Sequence, residues 1–322
     1  MKLKIITIVC FQLGIVVFLG IKIFKQETSV LGETTYTPIH KKDVIFNSDS
    51  KLQFFYEPIA KTTEEDTPPL SDLKVYYTIN SDHLHERFDY PINKLPNSYR
   101  IMTLGDSFTF GLFANTAENY PEKLERLLSE TCSNNQKFEV INLGVSGYDI
   151  QYSVERFLLR GQKYEPDMII FLLKEDDFMD IVEITAPIVS LYYEEMGPEK
   201  MDQLAEVGKC PHLDKAYHDF KENYDNDNIR NYQKKQLERL ILNSNSKIVI
   251  PVWAEMHNEN KQVIKNLSEK YPERVEYFEL PNFYKENPKT KQPDWHPTPL
   301  GYDLMAQTIY KYLTKESLIP CN

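Results

Sequence analysis

Five short apolar runs, separated by stretches of helical periodicity, restrict the architecture of this chain more than any other feature. They lie at 100–104, 138–143, 168–173, 247–253 and 275–280. None shows the polar alternation of a strand with one wet face, so each suits a strand covered on both sides. Between them, Tyr120, Leu124, Leu127 and Leu128 share one helical face, as do Ile150, Val154, Phe157, Leu158 and Gly161. Residues 229–243 and 258–271 read as helices, and Leu300, Leu304, Met305, Ile309, Tyr312 and Leu313 mark the last one. Strand and helix in strict alternation predict an α/β fold with a doubly wound, five-stranded parallel sheet. The interval 181–227 is too long for a plain crossover. It reads as a mostly helical insert near the C-terminal edge of the sheet.

Chemistry in such folds gathers where strands hand over to helices. The first run ends in Leu104-Gly105-Asp106-Ser107. Gly105 permits a sharp turn, and Ser107 then falls beside the N–H groups that open the next helix. A reactive serine needs a base and a group to orient that base. Among the seven His, His296 alone has a carboxylate close by in a stiff loop, Pro293-Asp294-Trp295-His296-Pro297-Thr298-Pro299. Thr298 suits a helix N-cap and Pro299 a first helical residue. Asp294 is placed to hold one imidazole nitrogen while the other faces Ser107. Oxyanion donors are expected from the backbone N–H of Ser107 and of Gly144, which follows the second strand and has no side chain to keep a substrate away.

These blocks resemble those of the SGNH (GDSL-like) hydrolase superfamily, in order, over about residues 99–315. Gly105-Asp106-Ser107 matches the nucleophile block, Asn142-x-Gly144-x-x-Gly147 the second block and Asp294-x-His296-Pro297 the last. The resemblance implies a flavodoxin-like three-layer sandwich. It implies Ser107 as nucleophile and first oxyanion donor, Gly144 as second donor, and Asp294 and His296 as the rest of a triad. It implies no metal or organic cofactor. One block departs. The family carries Asn-Asp after its third strand, and the Asn amide donates to the oxyanion; here the run is Lys174-Glu175-Asp176-Asp177. An ionised Asp176 has no proton to give, so it serves as a donor only if protonated. Lys174 is read as solvent-facing or paired with an acidic neighbour. A lost donor costs on the order of a hundredfold in rate.

Residues 5–21 are apolar and flanked by Lys2, Lys4, Lys22 and Lys25. The run ends Gly-Ile-Lys-Ile-Phe-Lys-Gln, without the small residues that a cleavage site needs, so a signal-anchor over 1–25 is expected rather than a cleaved signal peptide. The remainder would then lie outside the cytoplasm. Residues 26–98 read as a polar spacer and N-terminal extension, with 62–69 an exposed loop and short strands near 51–56 and 73–78. Residues 99–322 form the hydrolase-like domain. A net charge of −11 argues against a nucleic-acid partner. Cys10 lies in the apolar run, leaving Cys132, Cys210 and Cys321 with at most one disulfide and no readable pairing. His212 and His218 read as surface residues. The expected activity is hydrolysis of ester-linked acyl groups on an envelope glycan or lipid. The alternatives are an O-acetyltransferase on an envelope polysaccharide and a catalytically lapsed glycan-binding protein.

Overall fold

The structure, a computed structural model, describes residues 44–69, 71–132, 136–197, 200 and 211–321. The expected anchor at 1–25, with Cys10, lies outside the described residues, as does Cys210. No helix among the described residues is long and apolar enough to cross a membrane.

Two antiparallel hairpins come first. Strand β1 (Val44–Phe46) pairs with β2 (Tyr56–Pro58), and β3 (Thr62–Asp66) with β4 (Val75–Ile79). The reading of 62–69 as a loop is therefore corrected over Thr62–Asp66. Its residues are polar, but Glu64 points inward and is buried, so the alternation is that of a strand. Of the run 51–56, only Tyr56 enters a strand.

The main sheet has five parallel strands: β5 (Ser98–Leu104), β6 (Lys137–Asn142), β7 (Met168–Phe171), β8 (Lys247–Val252) and β9 (Val275–Glu279). Their order is β6-β5-β7-β8-β9. The chain reverses direction across the sheet between β5 and β7, where α/β folds open a crevice at the strands' carboxyl ends. The helices are α1 (Ser107–Phe110), α2 (Tyr120–Thr131), α3 (Ile150–Arg156), α4 (Val182–Met196), α5 (Pro211–Asn223), α6 (Asn226–Asn243), α7 (Asn258–Lys270), α8 (Phe283–Glu286) and α9 (Pro299–Lys315).

Successive strand residues face opposite ways, so each strand feeds two cores. Met102, Ile141, Ile169 and Ile250 pack with Val154 of α3, Leu240 of α6 and Ile264 of α7. Ile101, Val140, Ile170 and Val249 pack with Leu124 of α2 and Met305 and Ile309 of α9. The result is an α/β sandwich with helices on both faces of the sheet. The described part of the insert is helical, as expected, in α4 and α5. His218 is exposed beside Glu222, but His212 is buried against the Tyr193 ring, which corrects its reading as a surface residue.

Three ties bind the peripheral pieces to the sheet. The fully buried Arg156 donates to Glu57 of β2 at 2.6 Å, to the Leu143 carbonyl at 3.0 Å and to the His83 carbonyl at 2.5 Å. His85 sits 2.7 Å from the Phe110 carbonyl and 3.0 Å from Thr116 Oγ1, fixing β4's exit to the end of α1. Cys132, at the end of α2, forms a disulfide with Cys321 in the tail after α9. That pair closes a very long loop, so Cys132→Ser/Cys321→Ser is expected to lose about 2–4 kcal/mol in urea unfolding. Unchanged unfolding would show that the bridge contributes nothing.

His85 also makes stability depend on pH. Burial pushes its imidazole down to about 4, against the pull of the Phe110 carbonyl. The unfolded chain therefore takes the proton first as pH falls. Stability from this group is complete above about 6.5 and drains away toward pH 4, by roughly 3 kcal/mol in all. Urea midpoints measured between pH 7.5 and 4.5 should fall more steeply in the wild type than in His85→Asn. Parallel curves would contradict this assignment.

Candidate active site

At the end of β5, Gly105 adopts φ +146°, and a Cβ there would lie 2.3 Å from Thr109 Oγ1. The turn therefore requires glycine. Asp106 caps α1, its Oδ1 accepting from the Phe108 N–H at 2.9 Å. Ser107 is the first residue of that helix, where N–H groups have no intrahelical acceptor.

From the far end of the sheet, the loop between α8 and α9 brings in the base. His296 Nε2 lies 2.9 Å from Ser107 Oγ, and its Nδ1 lies 2.8 Å from Asp294 Oδ2. Asp294 and His296 face the same way because Trp295 between them adopts φ +75°, a costly conformation for a large residue. Flanking hydrogen bonds hold that kink. Gln292 N–H donates to the His296 carbonyl at 2.8 Å, and Tyr284 donates its hydroxyl to the Trp295 carbonyl. Thr298 caps α9 through the Gly301 N–H, as the sequence predicts. The Phe108 and Phe113 rings lie 5.5 Å from the imidazole. Partial desolvation pushes the Asp294 carboxyl up. The hydrogen bond and charge of His296 outweigh it and leave the carboxyl below its ordinary value.

Gly144 follows β6, but its backbone is engaged. Its N–H donates to Asn142 Oδ1 at 2.9 Å, and a Cβ would lie 2.4 Å from the Phe110 nitrogen. Glycine is needed here so that the strand end can pack on α1. An oxyanion would have to take this N–H from Asn142.

Asp176 is exposed over 59% of its side chain, and its Oδ2 pairs with Lys174 Nζ at 2.7 Å. Desolvation pushes its carboxyl up, and the charge and hydrogen bond of Lys174 more than reverse this, leaving it below its ordinary value. The protonated form considered from the sequence is therefore disfavoured: this carboxyl is ionised at neutral pH. Lys174 does not face solvent. It is 7% exposed and also pairs with Asp106 Oδ2 at 2.7 Å. The sequence offered a signal for this bridge, a lysine at a strand end beside two aspartates, but not its second partner on another strand. Among the described residues, no group of three or more His, Cys, Asp or Glu is placed to hold a metal ion.

The structure thus brings Ser107, His296 and Asp294 into one hydrogen-bonded chain. A serine, an imidazole and a carboxylate so linked can move a proton off the hydroxyl as it attacks a carbonyl. Several solved structures are similar. A psychrotrophic esterase, EstA from Pseudoalteromonas sp., is 14% identical over 68% of this chain and 99% of that one, with a TM-score of 0.43. A lipase/acylhydrolase from Enterococcus faecalis is 12% identical over 68% and 96%, with a TM-score of 0.41. A family 3 carbohydrate esterase from Clostridium thermocellum is 17% identical over 68% and 96%, with a TM-score of 0.40. No curated protein matches the sequence. Residues 101–309 match the family model described as GDSL-like Lipase/Acylhydrolase. The chain belongs to the GDSL-like lipase/acylhydrolase family.

Proposed function

We propose that the chain is a serine ester hydrolase with Ser107 as nucleophile, His296 as general base and then acid, and Asp294 as the group that orients His296. The observation that carries this reading is the continuous chain Asp294–His296–Ser107, with gaps of 2.8 and 2.9 Å. In the first step Ser107 Oγ bonds to the acyl carbon while its proton passes to His296 Nε2. Collapse of the tetrahedral intermediate expels the alcohol, which takes that proton. Water then attacks the acyl-enzyme, giving its proton to His296, and the free acid leaves with Ser107 restored. The Ser107 N–H is the first oxyanion donor. Gly144 is the second, once Asn142 releases its N–H. Asp176 supplies no proton to the oxyanion and is not a donor in this mechanism.

The substrate we propose is an acylated glycan or lipid of the cell envelope, met by a domain held outside the cytoplasm on a signal-anchor at 1–25. The Cys132–Cys321 disulfide supports that placement, since such bonds persist in oxidising compartments. Product analysis with a short-chain aryl ester, with and without an added sugar acceptor, tests the reaction class. The hydrolase reading expects free acid as the main product in both cases. Acyl-sugar as the main product would replace it with a transferase, and no acyl release in either would leave a lapsed, glycan-binding protein.

A further inference from the structure

We infer that Lys174 is a positioning residue for Ser107 and that it makes an acid tolerable at position 176. This rests on the serine-hydrolase reading above. Lysine is rarely buried unless paired, and Lys174 is buried with both of its ion pairs at the site. Its backbone N–H donates to Asp177 Oδ2 at 2.6 Å, which fixes the turn after β7. Its ammonium fills three directions. Asp106 Oδ2 and Asp176 Oδ2 each lie 2.7 Å away, and the Phe108 ring centroid lies 4.0 Å away.

Two of the three partners flank the nucleophile. Asp106 precedes Ser107 and Phe108 follows it. Asp106 also holds the Phe108 N–H with its second oxygen. Lys174 therefore braces the first turn of α1 from both sides of Ser107. The second carboxylate of the pair is Asp176, at the position where the resemblance places an oxyanion donor. Standing where the family resemblance places an amide donor, this carboxylate left alone would oppose the negative charge that builds on the substrate oxygen. It shares Lys174 with Asp106, so its charge is offset in part, and it serves as an anchor for the brace.

The test is the rate of Ser107 phosphonylation by a fluorophosphonate probe, with kcat and KM for a short-chain aryl ester. The chains compared are wild type, Lys174→Met, and Lys174→Met/Asp176→Asn. Lys174→Met is expected to slow labelling and kcat at least about tenfold, with KM little changed, since the loss is of charge balance and alignment. Adding Asp176→Asn is expected to recover at least about threefold, because it removes one of the two carboxylates that Lys174→Met leaves without their cation. A purely structural lysine would not produce that recovery. If Lys174→Met does not fold, Lys174→Gln, which keeps two N–H donors on a shorter side chain and removes the charge, carries the same expectations. Labelling of the folded variant at the wild-type rate would overturn the inference, as would an Asp176→Asn addition that leaves the rate unchanged or slower. A wild-type chain that neither labels nor hydrolyses would overturn the hydrolase reading, and this inference with it.

Discussion

Ser107→Ala is expected to lower hydrolysis of a short-chain aryl ester by roughly 10⁴-fold or more while the protein stays folded. The size follows from the loss of the covalent route, not from any weakening of substrate binding, so KM should change little. Retention of the fold follows from the local contacts. The Ser107 side chain has one hydrogen bond, to His296, whereas the turn around it is held by Gly105, the Asp106 cap and the α1 backbone. Removing the hydroxyl leaves all three in place. His296→Ala should cause a loss of similar order, and the double variant should be little worse than either, because residues that act as one unit do not add. Thermal melting alongside the kinetics checks that each variant is folded.

Arg156→Met is expected to cost about 3 kcal/mol of stability, measured by urea unfolding at pH 7. The substitution keeps length and apolar bulk but leaves Glu57 buried with Arg160 and Asn47 as its remaining partners. It also strips a donor from the carbonyls of Leu143 and His83. Leu143 precedes Gly144, so the strand end beside α1 loses its hold as well. A loss below about 1 kcal/mol would show that the N-terminal hairpin is not anchored through this side chain. The pair also gives a pH dependence. Burial raises the Glu57 carboxyl, but the hydrogen bond from Arg160 and the two guanidinium charges outweigh it and set it below its ordinary value. The stability it contributes is present above about pH 4.5 and is lost as pH falls through its folded value. Arg156→Met should weaken that acid-side loss.

The sheet was legible because its strands, apart from the half-buried edge strand β9, are covered on both faces and so carry largely apolar runs. Their parallel arrangement and the crossing helices followed from alternation, whereas the order across the sheet, β6-β5-β7-β8-β9, was not read from it. The loop carrying His296 was legible because Pro and a capping Thr mark a stiff entry to α9. Other parts were hidden for physical reasons. Strand β3 is a polar hairpin strand whose inward residue is Glu64, so hydropathy gives no sign of it. Position 144 needs glycine, but the cause is the α1 backbone packed against it rather than open access for a substrate. His212 is polar by type, and its packing against the Tyr193 ring joins two separate helices of the insert, which local sequence does not reveal. The disulfide joins cysteines 189 residues apart, and nothing local distinguishes that pairing from others. Lys174 was visible beside Asp176, while Asp106, on a different strand end, was not visible as its second partner.

The central claim is that Ser107 is an activated nucleophile. The measurement that tests it most directly is intact-mass and peptide analysis after incubation with a fluorophosphonate probe at neutral pH. One adduct is expected per chain, carried by Ser107, absent from Ser107→Ala and strongly reduced in His296→Ala. An adduct carried by another residue, equal labelling of wild type and Ser107→Ala, or a wild-type chain that takes up no probe would contradict it.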